Sequence, residues 1–271
     1  MPESNKQVAE KASTEIGEAV SFESEAGAGF ENADGDSFAI PFIRITQKMS
    51  PVCDPDDGAY IEEAKPGMLI DTVSEELFPG DGTLNIIPCH FKRSFLEWKP
   101  NRGGFVAEYN VPDGEALLAK CTKNDKNRDI TPDGNELVDT RTHYVLVVDA
   151  DGDTQSAAIC MSMTQTKKSK QWMTAMDKLR KHTADGRAYR PAMFASVFNV
   201  FTVPESNDQG SWYGWKIKHL NFLDENNPAH QQLFKAGKAF RDAVKGGSVT
   251  VDHGVDDPDR EKVVGDDDVD F

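Results

Sequence analysis

The chain has 271 residues, with 46 Asp plus Glu against 30 Lys plus Arg, a formal charge of −16 and a mean hydropathy of −0.56. That length suits one large domain or two small ones, and no apolar run approaches the ~18 residues that a membrane helix needs. The first thirty residues are acidic and polar, with no apolar stretch behind a charged start, so a cytoplasmic protein without an export signal is expected.

Residues 1–37 hold nine acids against Lys6 and Lys11 and lack apolar periodicity. They are expected to form a disordered acidic segment. Order is expected from Phe38, where FAIPFIRI opens the first strongly apolar stretch. LNIIPCHF, RSFLEW and GFVAEY then read as short strands punctuated by PGDG, KPNRGG and PDG. HYVLVVDADGDTQSAAICMSM reads as two strands joined by an Asp-Gly turn, and FASVFNVFTV with SWYGWKIKHLNFL as a further pair around PESNDQG. Two helices interrupt the pattern. The spacing of Trp172, Ala175, Met176 and Leu179 predicts one over Thr166–Lys181. Another is predicted from Pro228, burying Leu233, Gly237, Phe240 and Val244, until Gly246-Gly247 stops it. The fold class is therefore mainly β with two or more helices, an antiparallel barrel or sandwich with insertions over residues 38–250.

The acidity sits at the ends. Residues 252–271 hold nine acids against Arg260 and Lys262, so each end carries −7 and the middle only −2. The total charge therefore does not speak against nucleic acid as a partner. On the helix from Thr166, Lys167, Lys170, Lys178 and Lys181 fall on one side, opposite the apolar stripe, and Lys168 lies in the same basic stretch of sequence. Such a row can neutralise successive phosphates, or be an ordinary solvated face. FKRSFLEWKPNRGG interleaves Lys92, Arg93, Lys99 and Arg102 with Phe91, Phe95 and Trp98. SWYGWKIK places Trp212, Tyr213 and Trp215 beside Lys216 and Lys218. Rings interleaved with cations suit a single strand, because bases stack while charges track phosphates. The alternative for each segment is a half-buried strand with core rings.

Residues 125–136, DKNRDITPDGNE, place Asp125, Asn127, Asp129, Thr131, Asp133 and Glu136 at the six ligand positions of a calcium loop. Ile130 stands where the sharp turn wants Gly, and a strand follows, so a polar hairpin loop is expected instead. The four cysteines fit no zinc spacing and the six histidines form no H-E-x-x-H. There is no phosphate loop, nucleophile elbow or dinucleotide fingerprint. No catalytic residue, metal or cofactor is expected, and the protein is read as a binder and not an enzyme.

The sequence closes on DDDVDF, with Asp266, Asp267, Asp268 and Asp270 before Phe271, beyond an acidic stretch from residue 251 that is expected to be disordered. Here the chain resembles single-stranded DNA-binding proteins, whose acidic tails end in Phe; the bacterial tip reads DDDIPF. Asp270 stands where that tip has Pro. The segment from FAIPFIRITQKMSP through SWYGWK is similar to phage versions of such proteins. The resemblance implies an OB-fold core and sequence-nonspecific single-stranded DNA binding in replication, recombination or repair, in a bacterial host cell if the protein is phage-encoded. It also implies a tail that docks replication or recombination proteins and competes with DNA for the basic groove. Phosphate contacts are then expected from Lys92, Arg93, Lys99, Arg102, Lys167, Lys168, Lys170 and Lys216, and stacking from Trp98, Trp212 and Trp215. Homo-oligomerisation stays open. The competing expectations are a strand-annealing recombination protein, an acidic interaction or DNA-mimic protein without DNA affinity, and a metal-dependent nuclease.

Overall fold

The computed structural model describes residues 28–31, 39–100, 103–207 and 210–253. It divides into residues 1–38 and 39–271, and the fold below is that of the second unit. Most of the acidic N-terminal segment and the acidic stretch after His253 lie outside the described residues.

One strand organises the sheet. β4 (Asp81–Trp98) is 18 residues long and joins what the sequence suggests are two strands. Its full length from Asn85 to Trp98 pairs antiparallel with β8 (Glu136–Val148). Its other edge is shared, first by β12 (Ser196–Asn207) at Asp81–Ile86 and then by β5 (Phe105–Tyr109) at Phe95–Trp98. Between Pro88 and His90 the register with β8 slips. Proline brings no N–H to a ladder and a bulge bends the strand that carries it, so this is where β4 turns. β9 (Thr154–Ser162) continues the sheet beyond β8, and β13 (Gly210–Phe222) continues it beyond β12. The short β6 (Thr122–Lys123) and β7 (Asp129–Ile130) extend the far end of β8. The result is mainly β, an eight-stranded, strongly curled half-barrel with three helices among the described residues. The expected class is observed, with more strands than the five of a minimal OB barrel.

Strand alternation puts apolar side chains on both faces. Leu84, Ile86, Val145, Val147, Ile159, Phe198 and Val200 fill the concave side. Ile87, Cys89, Tyr144, Leu146 and Val197 form a second cluster on the other side. α2 (Thr166–Lys178) closes the concave core with Ser169, Trp172 and Met176. Trp172 stacks on His143 at 4.4 Å and meets Phe198 edge-on at 5.8 Å. Ser169 Oγ hydrogen-bonds His143 Nε2 at 2.8 Å. The helix is shorter than its spacing predicts: Leu179 is already extended, Lys181 lies in β10 (Lys181–His182, paired with β11, Ala188–Tyr189), and Ala175 is exposed. α3 (Pro228–Gly246) covers the outer cluster through Phe240, as its pattern predicts. Asn227 caps its first N–H groups and Gly247, at φ 77°, ends it. α1 (Val111–Leu118) forms where the sequence signals a turn. Asn110 Oδ1 accepts from Asp113 N, and Pro112 occupies the first turn where its missing N–H costs nothing.

β13 and β9 are edge strands of the half-barrel, and residues 41–47 run between them. Ala158 N donates to Pro41 O at 2.9 Å, and Phe42 bridges Ala158 in parallel. β1 (Ile43–Ile45) then pairs with β2 (Leu69–Asp71), which pairs with β3 (Leu77–Phe78). At the far end the Gln47 amide grips the β13 backbone: its Nε2 donates to Tyr213 O at 3.0 Å, and Tyr213 N donates to its Oε1 at 2.8 Å. Gln165 Oε1, just before α2, accepts from Trp215 N at 3.2 Å. Ile43 and Leu69 complete the concave core under this strap.

Two outcomes test this packing. Gly→Ala inside a helix ordinarily stabilises by about 1 kcal/mol. At Gly114 a Cβ would lie 2.2 Å from the ring of fully buried Phe95, so Gly114→Ala should lower stability in urea unfolding; a gain would contradict the contact. His143 is fully buried, and burial, followed by the nearby Arg141 charge, pushes its pKa down to about 3. The unfolded chain protonates near pH 6.5, so stability falls as pH drops from there toward 3, by about 1.4 kcal/mol per unit for this proton. Burial lowers His90, His219 and His253 in the same direction. His143→Gln should flatten the loss between pH 6.5 and 5, and an unchanged slope would show that His143 is not held neutral.

Candidate nucleic-acid interface

Phe198, Val200, Trp215 and Ile217 of the β12–β13 hairpin point into the concave core. Alternation therefore turns Phe201, Val203 and Glu205 of β12, and Trp212, Gly214, Lys216 and Lys218 of β13, to the other side. Their register places Phe201 opposite Lys216, Val203 opposite Gly214, and Glu205 opposite Trp212. Lys218 Nζ sits 4.9 Å from the centre of the Phe201 ring, a cation–π distance. The ring lies on Gly82, at φ 98°, where a Cβ would come within 2.2 Å of it. Lys216 is exposed, and Phe201 and Trp212 are half-buried.

The two strands carry a single acid, Glu205. Trp212 Nε1 donates to it at 3.1 Å, and Lys168 of α2 ion-pairs with it. Glu205 thereby pins the start of α2 to this face, and Lys168 offsets its charge. Beside it, Lys167, Lys170 and Lys178 are exposed on the solvent side of α2, with no ion-pair partner among the described residues. The structure so leaves Lys167 and Lys170 exposed on the solvent side of α2, and brings together Lys168, Trp212 and Lys216 from the expected set. Phe201, Glu205 and Lys218 join them; their sequence signal is the hairpin register, which places Phe201 across from Lys216.

The remaining expected contacts lie elsewhere. Lys92 Nζ is 2.7 Å from Glu108. Arg93 holds Asp139 through Nε and Nη2, both at 3.0 Å, and Glu115 through Nη1 at 3.0 Å. Those carboxylates raise its pKa further, and they make it a tie between β4, β8 and α1. Trp98 is 5% exposed, edge-on to Phe105 at 5.6 Å, and Trp215 is 4% exposed in the concave core. Neither presents a face, so both stacking assignments are corrected to core rings. Lys99 is exposed in the β4–β5 loop. Arg102 and the tail residues Asp266, Asp267, Asp268, Asp270 and Phe271 lie outside the described residues. In the calcium-like loop, Asp129 pairs with Lys123 at 2.8 Å and Glu136 with Arg128 at 2.9 Å, so these two carboxylates turn to cations.

Fold and face together define a curled antiparallel half-barrel with a cationic, aromatic outer hairpin. A family model described as Pam3 phage gp34-like protein matches residues 9–250, and the chain belongs to that family. Such membership fits a phage protein. No curated protein and no solved structure matches the chain. Among the described residues no helix is long and apolar enough to cross a membrane.

The four tryptophans provide a check on the face. Trp98, Trp172 and Trp215 are buried, whereas Trp212 is half-buried on the outer hairpin. Iodide should quench a minor part of the fluorescence, and Trp212→Phe should abolish that part. Quenching that survives the substitution would mean another ring is open to solvent.

Proposed function

We propose that the protein binds single-stranded DNA without strong sequence preference on the outer face of the β12–β13 hairpin and the adjoining side of α2. The observation that carries this reading is the alternation of Phe201 and Trp212 with Lys216 and Lys218 beside a single acid, Glu205, that Lys168 already pairs. Rings take bases whatever their identity, and flexible ammonium groups follow a backbone without reading it. Lys167, Lys170 and Lys178 extend the positive path along α2. Membership of a phage family is compatible with work in replication, recombination or repair in a bacterial host.

The acidic stretch that follows His253, with Asp266, Asp267, Asp268 and Asp270 before Phe271, is assigned to docking replication or recombination proteins and to competition with DNA. A tethered polyanion stands at high effective concentration near a cationic face, so it would reject weak ligands and leave tight single strands bound. Binding, and not catalysis, is the proposed activity.

The test is titration of a labelled oligonucleotide of about 30 nucleotides, longer than the 4–16 of a single site, as single strand and as duplex, over a range of salt. Single-strand affinity should fall with salt. Lys216→Glu with Lys218→Glu should weaken it at least about tenfold and lower the salt slope by about 0.7 for each phosphate that is no longer neutralised. Trp212→Ala should cost ~1–3 kcal/mol of binding. Trp98→Ala and Trp215→Ala should instead act on stability, by about 3–5 kcal/mol. No affinity at low salt would favour an acidic interaction protein, pairing of complementary strands would favour an annealing protein, and magnesium-dependent loss of the oligonucleotide would reveal a nuclease.

A further inference from the structure

The bent strand β4 leaves part of an edge without a partner. β12 pairs with that edge as far as Ile86 and β5 takes it up again at Phe95. Between them, among the described residues, no strand pairs with it. Ile87 and Cys89 are covered by Phe194 and by Gly237 of α3, whereas His90, Phe91, Lys92 and Arg93 are half-exposed. Alternation in an antiparallel ladder directs the N–H and C=O of two of these four residues away from β8 and out of the edge. A cleft of about 430 Å³ opens there, with Phe91, Met173, Met193 and Phe194 among its walls and Arg190 and Arg241 facing solvent.

We propose that the open edge of β4 at His90–Arg93 and its cleft take an extended acidic segment of a partner protein as an added strand. Unpaired backbone donors alternating with acceptors are matched by another peptide backbone. A nucleic-acid backbone offers acceptors without matching donors, so the edge differs in kind from the β12–β13 face. The apolar walls suit side chains of alternate residues of such a strand. Charge selects the partner. Burial lowers the His90 pKa, and Arg241, Lys245 and Lys92 lower it further, with no carboxylate acting against them. Arg190 and Arg241 hold Asp177 and Asp242 in exposed pairs, which are weak enough for an incoming carboxylate to replace. The same cations disfavour a second copy of this edge.

The probe is a fluorescein-labelled, amidated peptide of alternating Asp and Val or Phe, added to the full chain. Hydrogen exchange should slow by at least about tenfold at two alternate amides of His90–Arg93 when the peptide binds. Methylating the peptide's own amides on the protein-facing side should abolish binding, and methylating the other set should preserve it. Arg190→Glu with Arg241→Glu should weaken binding at least about tenfold. Unchanged exchange, or equal binding by both methylated peptides, would overturn the proposal. Protection already present in the free chain would mean that the protein's own acidic residues fill the edge, and displacement by an oligonucleotide would assign the edge to DNA. Either result would also overturn it.

Discussion

A curled sheet that stops short of closure has two raw edges, and here residues 41–47 tie them together. Pro41 and Phe42 pair with β9 at Ala158, and Gln47 grips both backbone groups of Tyr213 on β13. One side-chain amide thus takes the place of a neighbouring strand at the β13 edge, with Gln165 adding a second contact at Trp215. Because the strap carries Ile43 over the concave side and β2 carries Leu69, the interior is sealed by apolar groups. Without the Gln47 contacts the Tyr213 N–H and C=O would return to an unpaired sheet edge.

Sealing the interior decides where a ligand can lie. Trp172, Trp215 and Phe198 are spent on the concave core, and α3 covers the outer surface around Phe240. What stays open on the outer side is the distal β12–β13 hairpin. Two of its side chains rest on glycine: the Phe201 ring occupies the space a Gly82 side chain would fill, and the Glu205 carboxylate the space beside Gly214. The Glu205 carboxylate then binds Lys168 and Trp212 at once, which ties the start of the helix to the hairpin and offsets the negative charge that would repel phosphate. The β4 edge lies apart from this surface and differs in kind, since its unpaired groups are backbone.

Much of this architecture is legible in the chain. The strands, the Asp-Gly turn after Val148, and α3 with its Asn-Pro start and Gly-Gly stop follow from local pattern, because local steric and capping preferences dominate there. The errors share one cause. Alternation tells which side chains of a strand share a face and not which face is wet, so Trp98 and Trp215 look as available as Trp212. Likewise Arg93 looks free because Asp139, which engages it, is 46 residues away. Helix α1 is hidden because PDG is both a turn signal and a sound helix start after Asn110. Phe201 and Glu205 need the hairpin register, a non-local fact.

The central claim is that DNA lies on the outer face of the β12–β13 hairpin. It is tested most directly by ultraviolet cross-linking of a bromodeoxyuridine-substituted single strand to the full chain, with the joined residues identified by mass spectrometry. Cross-links concentrated on Trp212 and Phe201, and suppressed by high salt, are the predicted result. Cross-links confined to the β4–β5 end around Lys99, or none at low salt, would contradict it.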